Sequence, residues 1–438
     1  MSIKQTLLDR IASKTAVVGV VGLGYVGLPL AVEFAEVGFS VIGVDLSASK
    51  VDMLNQGESY IPDIPTAQLK PLVESGRLRA STDYAALRAV DTISICVPTP
   101  LRKTKDPDMS FIIESTDAIA EIAHEGILVI LESTTYPGTT EEVILPRLIN
   151  NGFKVGDNVF VAFSPERIDP GNKNFGVRNT PKVVGGVTPA CTEIVTALYR
   201  HAVDNVIPVS STTTAEMVKL LENTFRAVNI GLVNEMAVMC DKLGISVWEV
   251  IAAASSKPFG FMPFYPGPGL GGHCIPVDPH YLSWKLKTLN YNARFIELAS
   301  EINTSMPLYV LTKITDALND EGKAVRGARV VVLGVAYKRD VNDVRESPAL
   351  DVLQLLRDKG ADVVYHDPYV PRIHMEAAGD YMESATYSDT LLENADCVVI
   401  ITDHTSYDWQ HVLDHTHLVV DTRNSTPPLQ GKARRVIL

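Results

Sequence analysis

Two short stretches of the chain concentrate residues whose types and spacing can do chemistry. The first is Gly22-Leu23-Gly24-Tyr25-Val26-Gly27, directly after the apolar run AVVGVV at 16–21. Glycine at the first position permits a tight turn. At the second it lets backbone approach a pyrophosphate, and at the third it lets a helix pack closely on a strand. The helix that follows points its amides and the positive end of its dipole at the phosphates. Asp45 closes a second apolar run, VIGV at 41–44, about 20 residues further on. An acid there accepts hydrogen bonds from a ribose 2′-OH and repels a 2′-phosphate, so the unit reads as an NAD site rather than an NADP site. The bare glycine motif is weak and also fits a turn with no ligand. Strand, glycines and acid in this order favour the cofactor.

The second stretch, Gly267-Pro-Gly-Leu-Gly-Gly-His-Cys274-Ile-Pro-Val-Asp278, sets one cysteine behind a glycine-dense loop. Glycines let backbone approach a substrate and supply amide donors. A thiolate stabilised by nearby cations is a nucleophile. On residue type alone, however, a lone cysteine is more often a small buried hydrophobe. His273 alone is likewise more often structural, so both readings stand at this point.

The elements that must position these residues are legible in the hydrophobic pattern. Runs at 16–21 and 41–44 flank a helical stretch at 28–37, the size of a βαβ unit. Further buried-strand candidates are 92–97, 127–131, 158–163 and 182–185, with helical patterns between them. Alternating apolar strands and helices predict a parallel sheet covered on both faces. After residue 210 the pattern changes. Residues 215–240 carry apolar side chains at helical spacing behind good N-cap candidates at Thr212 to Thr214. Residues 246–254 and 280–320 also read as helical, around a Pro/Gly-rich loop at 258–279. A second βαβ pattern begins with a strand in 325–337. Ser347-Pro348 then opens a helix over 347–360, and further strands lie in 361–370, 396–401 and 417–421. The predicted fold class is α/β, with two Rossmann-type parallel-sheet domains joined by a helical central domain. The expected divisions are 1–209, 210–322 and 323–438. The second α/β copy lacks a GxGxxG, which argues against a second NAD site there.

Composition bounds the function. With 438 residues the chain can bury a large core without staples. A net charge of −13 argues against a nucleic-acid backbone as partner, but leaves room for an anionic small ligand held by local cations. The five cysteines, at 96, 191, 240, 274 and 397, are odd in number and form no CxxC pair. This points to reduced thiols rather than a disulfide framework, and no metal-ligand set is singled out. MSIKQTLLDRIASK lacks the apolar core of a signal peptide, and no apolar run approaches the ~20 residues of a membrane span. The expected location is the cytoplasm.

Seven ordered blocks carry a resemblance. They are GLGYVGLP at 22–29, CVPTP at 96–100, STTYPGT at 133–139, SPER at 164–167, AEMVKLLENTFRA at 215–227, GPGLGGHCIPVDP at 267–279 and YKRDVNDVRESP at 337–348. In order and spacing they resemble the UDP-glucose/GDP-mannose dehydrogenase family, across essentially the whole chain. The resemblance implies an NAD-dependent enzyme that removes two hydrides from one sugar carbon, C6, using two NAD per turnover. Cys274 is then the nucleophile that captures the aldehyde as a thiohemiacetal and carries it on to a thioester, which water releases as the acid. Covalent capture holds the aldehyde between the two oxidations.

The remaining roles also follow from the resemblance. Lys219 steadies the developing alkoxide, and Asn223, four residues on, can share that oxygen. Asp278 and Thr134 hold a catalytic water, and Glu166 serves general acid/base chemistry. Gly22, Gly24, Tyr25, Val26, Gly27, Asp45, Thr99, Thr134 and Arg345 are the cofactor contacts. Glu166, Arg167, Lys219, Asn223, Tyr265, Gly267, Gly271 and Lys338 are the substrate contacts. Taken singly, each charged residue reads as a solvated surface side chain.

Three departures bear on the substrate. Pro170, beside Asp169, stands where UDP-glucose enzymes usually carry a second glutamate. Lys257-Pro-Phe-Gly-Phe-Met-Pro-Phe replaces a segment bearing an arginine, and Val341 replaces a common threonine. KPFGFMPFYPGPGLGGHCIPVDP and SPERIDPGN more closely resemble bacterial UDP-N-acetylhexosamine 6-dehydrogenases of surface-polysaccharide synthesis. UDP-N-acetylglucosamine is therefore the first expectation. UDP-N-acetylgalactosamine differs only at C4 and is not separated from it. UDP-glucose is an alternative, and the C2-epimeric N-acetylmannosamine substrate ranks behind these. Two other classes remain: a two-electron β-hydroxyacid dehydrogenase, which needs a lysine but no cysteine, and a non-catalytic NAD-binding module. A homodimer or higher even oligomer is expected, built on the helices at 215–240 and 290–320, with neither nucleic acid nor membrane as partner.

Overall fold

The computed structural model describes residues 2–102, 106–150, 152–169, 172 and 174–438. The chain divides into two compact units, Met1–Glu222 with His280–Tyr291, and Asn223–Pro279 with Asn292–Leu438. Pro170 lies outside the described residues.

In the first unit the order is α1 (Ile3–Ala12), β1 (Val17–Val21), α2 (Gly27–Glu36), β2 (Ser40–Val44), α3 (Ala48–Asn55), α4 (Thr66–Glu74), β3 (Leu78–Ser81), β4 (Thr92–Ile95), α5 (Ser110–Ile122), β5 (Leu128–Leu131), α6 (Leu145–Ile149), β6 (Phe160–Phe163), β7 (Lys182–Gly186), α7 (Pro189–Ala202) and β8 (Val206–Val209). The eight strands form one sheet in the order β3-β2-β1-β4-β5-β6-β7-β8. Successive strand residues feed opposite faces. Leu128 and Ile130 enter one apolar cluster, and Val129 and Leu131 the other. That two-sided burial is why the strands read as unbroken apolar runs. Each fully buried aliphatic side chain contributes roughly 1.5–3 kcal/mol.

The sheet is parallel, as expected, apart from one pair of neighbours. β7 runs antiparallel to β6, pairing Ala162 with Gly186 and Phe163 with Gly185. A parallel neighbour requires a long crossover, usually helical. The link from 164 to 181 carries no helix or strand among its described residues, so the strand re-enters from the end at which its predecessor left. α7 then provides a helical crossover, and β8 is parallel to β7.

α8 (Thr212–Leu243) begins in the first unit and continues into the second. It is followed by α9 (Val247–Ala254), capped by the Ser246 hydroxyl, then α10 (Asp278–Thr288) and α11 (Arg294–Asp320). The helical stretch expected at 280–320 is thus two helices. Asn290 adopts φ 59° just past the end of α10, the left-handed residue that commonly terminates a helix. The second unit continues with β9 (Arg329–Leu333), α12 (Pro348–Asp358), β10 (Asp362–His366), β11 (Arg372–Met375), β12 (Asp380–Glu383), α13 (Asp389–Glu393), β13 (Cys397–Ile400), α14 (Trp409–His415), β14 (Leu418–Asp421) and β15 (Arg434–Ile437). Its main sheet is parallel, in the order β10-β9-β13-β14-β15, and β11 and β12 form a separate antiparallel pair. After β9 the amides of Val335 and Ala336 donate to the buried Asp367 carboxylate at 2.7 and 3.0 Å, so a protein group satisfies them.

Candidate active site

The glycine turn of the first unit has the geometry that its sequence implies. Gly22 sits at φ 86°, and a Cβ there would lie 2.6 Å from the Cys96 carbonyl oxygen. A Cβ on Gly27 would lie 1.8 Å from the Gly22 oxygen. Both positions therefore exclude a side chain. Gly24 differs, since a Cβ there meets nothing within 4 Å and the backbone faces open space. That opening, at the start of α2, is where a pyrophosphate would be held, so the residues fit a dinucleotide. Tyr25 is exposed and Val26 half-buried beside it. The Asp45 carboxylate accepts from the Leu23 and Ser47 amides, each at 2.9 Å, with the Lys50 ammonium 3.4 Å away. These bonds fix Asp45 at the end of β2. Thr99 is buried, and its carbonyl accepts a 2.6 Å bond from Tyr281. Thr134 lies half-buried three residues past the end of β5.

A second cluster of the first unit gathers around Glu166. Its Oε1 accepts from the Arg167 and Ile168 amides at 2.6 and 2.7 Å. Its backbone carbonyl accepts from the Lys219 ammonium at 2.6 Å. The Arg167 guanidinium donates to Glu222 at 2.6 Å and to the Pro181 carbonyl at 2.7 Å. Lys182, at the start of β7, brings its ammonium to 2.8 Å from Glu132 and 3.4 Å from Glu166. Tyr199 donates to the other Glu132 oxygen. Burial pushes the Glu132 carboxyl up to about 7, although Lys182 pulls the other way. Burial opposes the charge on Lys182, but Glu132 and Glu166 outweigh it and hold the ammonium protonated. Glu216, on α8, accepts from the Gly138 and Thr140 amides at 2.5 and 2.9 Å, tying the STTYPGT segment to that helix.

The cysteine loop lies in the second unit. All five cysteines are thiols; Cys274 is half-buried and the other four are buried. The Cys274 carbonyl accepts from the Asp278 amide at 2.8 Å, closing a turn onto the start of α10. The buried Asp278 carboxylate accepts a 2.5 Å bond from the Asn223 side chain. At the other end of the loop, the Gly267 amide donates to Asn234 at 3.0 Å, and Asn234 donates to Asn303 at 2.8 Å. The glycines are needed for close approach. A Cβ on Gly271 would lie 2.8 Å from Tyr337 and 3.0 Å from the Glu346 carbonyl. The Gly272 amide donates to the Arg345 carbonyl at 3.0 Å. The GPGLGG loop thus packs on the YKRDVNDVRESP segment. Within that segment Arg345 pairs with Asp343, and the Lys338 ammonium lies 5.9 Å from the Tyr337 ring centre. Tyr265 is exposed and stacks on Trp248 at 6.0 Å.

Inside the first unit, therefore, Glu166, Arg167 and Lys219 come together. Inside the second, Asn223 and Asp278 meet on the turn that carries Cys274, while Gly267 and Gly271 lie in one loop and Gly271 packs beside the segment bearing Lys338 and Arg345. Sequence reasoning missed Glu132, Lys182, Glu216 and Glu222. Each is a lone charged residue in an apolar strand or on a helix, and the one available signal was a charge inside or at the end of a run otherwise fit for burial.

A Rossmann turn, a lysine-bearing acid cluster and a cysteine loop are the features of a pyridine-nucleotide oxidoreductase. Comparison with known proteins sharpens this. Three models of one family match consecutive parts of the chain: the NAD binding domain at 16–203, the central domain at 213–305 and the UDP binding domain at 331–428. The class is that of NAD-dependent nucleotide-sugar dehydrogenases, and the chain belongs to the UDP-glucose/GDP-mannose dehydrogenase family. It is 36% identical over 424 residues to a UDP-N-acetyl-D-mannosamine dehydrogenase of Pyrococcus horikoshii, covering 94% of this chain and 97% of that one. It is 37% identical over 355 residues to a UDP-N-acetyl-D-glucosamine 6-dehydrogenase of Pseudomonas aeruginosa, covering 81% and 83%. Among solved structures it resembles the UDP-D-ManNAc dehydrogenase of Pyrococcus horikoshii, with a TM-score of 0.86, 34% identity and coverage of 96% and 99%.

Proposed function

We propose that the protein oxidises the C6 alcohol of a UDP-N-acetylhexosamine to the carboxylate, with Cys274 as covalent nucleophile. The observation that supports this most directly is the 2.5 Å bond from Asn223 to the buried Asp278, whose amide closes the turn carrying Cys274. A thiol placed on a turn anchored by two buried polar residues has the fixed orientation a nucleophile needs.

When bound in the turn at Gly22–Gly27, NAD supplies the hydride acceptor, twice for each sugar. The chain's own residues do the rest. The Lys219 ammonium, together with Asn223, steadies negative charge on the reacting oxygen. The C6 alcohol becomes an aldehyde by losing its hydroxyl proton to solvent and one hydride to the bound cofactor. The Cys274 thiol then gives its proton to solvent as its sulfur adds to the aldehyde carbon. Oxidation of that adduct leaves an acyl group on sulfur. Asp278 and Thr134 orient the water that attacks it. Glu166 takes the water's proton as the C–S bond breaks, and the thiolate is regenerated. Arg167, Tyr265, Gly267, Gly271 and Lys338 hold the nucleotide sugar. Tyr25, Val26, Asp45, Thr99 and Arg345 hold the cofactor.

UDP-N-acetylglucosamine is the first choice of substrate, supported by the KPFGFMPFYPGPGLGGHCIPVDP and SPERIDPGN segments and by the relative named for that sugar. The mannosamine epimer is the second, favoured by the relative and the solved structure named for it. The protein works as three domains, 1–209, 210–322 and 323–438. It assembles as a dimer or a higher even oligomer and acts in the cytoplasm in surface-polysaccharide synthesis. No described helix is long and apolar enough to cross a membrane. The deciding assay is NADH release with product mass on UDP-N-acetylglucosamine, UDP-N-acetylmannosamine, UDP-N-acetylgalactosamine and UDP-glucose. Two NADH and an acid from an N-acetylhexosamine are expected. One NADH would indicate a two-electron dehydrogenase, and NAD binding without turnover would indicate a non-catalytic module.

A further inference from the structure

Asp389, His411 and His415 converge in the second unit, outside every residue assigned above. His411 and His415 lie four residues apart on α14, so both project from one helical face. Their rings stack with centres 4.1 Å apart. The His411 Nε2 is 3.0 Å from one Asp389 oxygen, and the His415 Nε2 is 3.8 Å from the other. One ligand atom from each of the three residues falls within 4.8 Å of the others.

We propose that these three side chains form a binding site for a divalent transition-metal ion, zinc in the first place, which ties α13 to α14. The orientation of the rings is the second observation. The His415 Nδ1 lies 2.9 Å from the His411 backbone carbonyl. A carbonyl only accepts, so Nδ1 carries a proton, and Nε2 is the nitrogen turned toward Asp389. The His411 Nδ1 lies 3.4 Å from the Tyr387 hydroxyl, which leaves its Nε2 facing the same carboxylate. A histidine whose far nitrogen is held by a carbonyl or hydroxyl is the usual form of a metal ligand. The scaffold is also anchored. Asp408 caps α14 by accepting from the Gln410 and His411 amides, and Ser388 caps α13, setting Asp389 in its first turn.

Two imidazoles and one carboxylate suit zinc, cobalt, nickel or copper better than magnesium or calcium. Bonds of about 2.0–2.1 Å place neighbouring ligand atoms roughly 3.3 Å apart in a tetrahedron, so only small side-chain movements are needed. Three protein ligands leave the fourth position to water. Asp389 is exposed, which gives the ion a path from solvent. Because the site joins two elements, metal binds the folded arrangement and raises its stability. Nothing here depends on the dehydrogenase reading.

The test uses the full chain carrying Cys274→Ser, which removes the half-buried thiol as a rival ligand, after dialysis against a chelator. Zinc chloride is titrated calorimetrically at pH 7.5, and cobalt chloride is followed by its visible absorption. One ion per chain, a tetrahedral cobalt spectrum and a melting temperature raised by several degrees are expected. His411→Gln with His415→Gln should abolish all three, and Asp389→Asn should weaken zinc by about tenfold or more. Should the double variant fail to fold, the exposed Asp389→Asn change decides alone. Absence of saturable binding overturns the site, because the three groups are then only an imidazole–carboxylate contact. Unchanged affinity in the variants overturns it equally.

Discussion

The Lys182 ammonium lies 2.8 Å from the Glu132 carboxylate, and both side chains are almost wholly sealed from water. The pair joins the start of β7 to the end of β5, two strands separated in the sheet by β6. Glu166, the proposed acid/base, sits 3.4 Å from the same ammonium. A buried cation therefore lies between an internal carboxylate and one assigned to chemistry.

Replacing Lys182 with Met strands Glu132 as a buried carboxylate without its cation. The expected loss is about 3–5 kcal/mol at pH 8. In the folded protein Glu132 already holds its proton up to about 7, against an ordinary value of 4.5. A folded-state value above the unfolded one means that stability from this group falls as pH rises through that window. Without Lys182 the window extends higher, so the variant should be least damaged near pH 5. Urea unfolding at pH 5 and pH 8 measures this, and equal losses at both would show that Glu132 is not the group left stranded.

Gly24 and Gly27 should respond differently to alanine. A Cβ at Gly24 meets no atom within 4 Å, whereas one at Gly27 would lie 1.8 Å from a backbone oxygen. Gly24→Ala should keep its melting temperature and bind NAD more weakly. Gly27→Ala should lose several degrees of melting temperature as well. Calorimetric NAD binding beside thermal unfolding separates the two.

Cys274→Ser should end acid formation while NAD affinity stays within a factor of about two, since a hydroxyl is a far poorer nucleophile than a thiolate. Mass analysis of the product under prolonged incubation is the readout. Normal yields of acid would remove the sulfur from the reaction.

Lys219→Ala should lower kcat by about 10²–10³, because it removes charge stabilisation that grows in the transition state. KM should change less than kcat. The same residue donates to the Glu166 carbonyl at 2.6 Å, so thermal unfolding must accompany the kinetics. A stable variant with unchanged kcat would take Lys219 out of the mechanism.

Leu221, Phe225, Leu232 and Met239 are exposed along α8, and Phe295 and Leu298 at the start of α11. Exposed apolar side chains on these helices are the surface on which the proposed oligomer would be built. Phe295→Asp, at a position 76% exposed, should shift the protein to the monomer in light scattering without unfolding it. An unchanged mass would place the interface elsewhere.

What the sequence determined by itself was periodic or local. The strands at 17–21 and 128–131 announced themselves as apolar runs because both faces of the sheet are covered. Ser347-Pro348 marked the start of α12, where the serine hydroxyl accepts the Ala349 amide as a cap. The glycines at 22, 24 and 27 were legible because one turn imposes all three requirements within six residues. The reversal of β7, the Glu132–Lys182 pair, the grip of Glu216 on the STTYPGT segment and the meeting of Asp389 with His411 were decided by tertiary structure alone. Each depends on groups far apart in the chain. Sequence periodicity reports which face of an element is buried. A buried charge is settled only by the partner that the rest of the fold brings within hydrogen-bond distance.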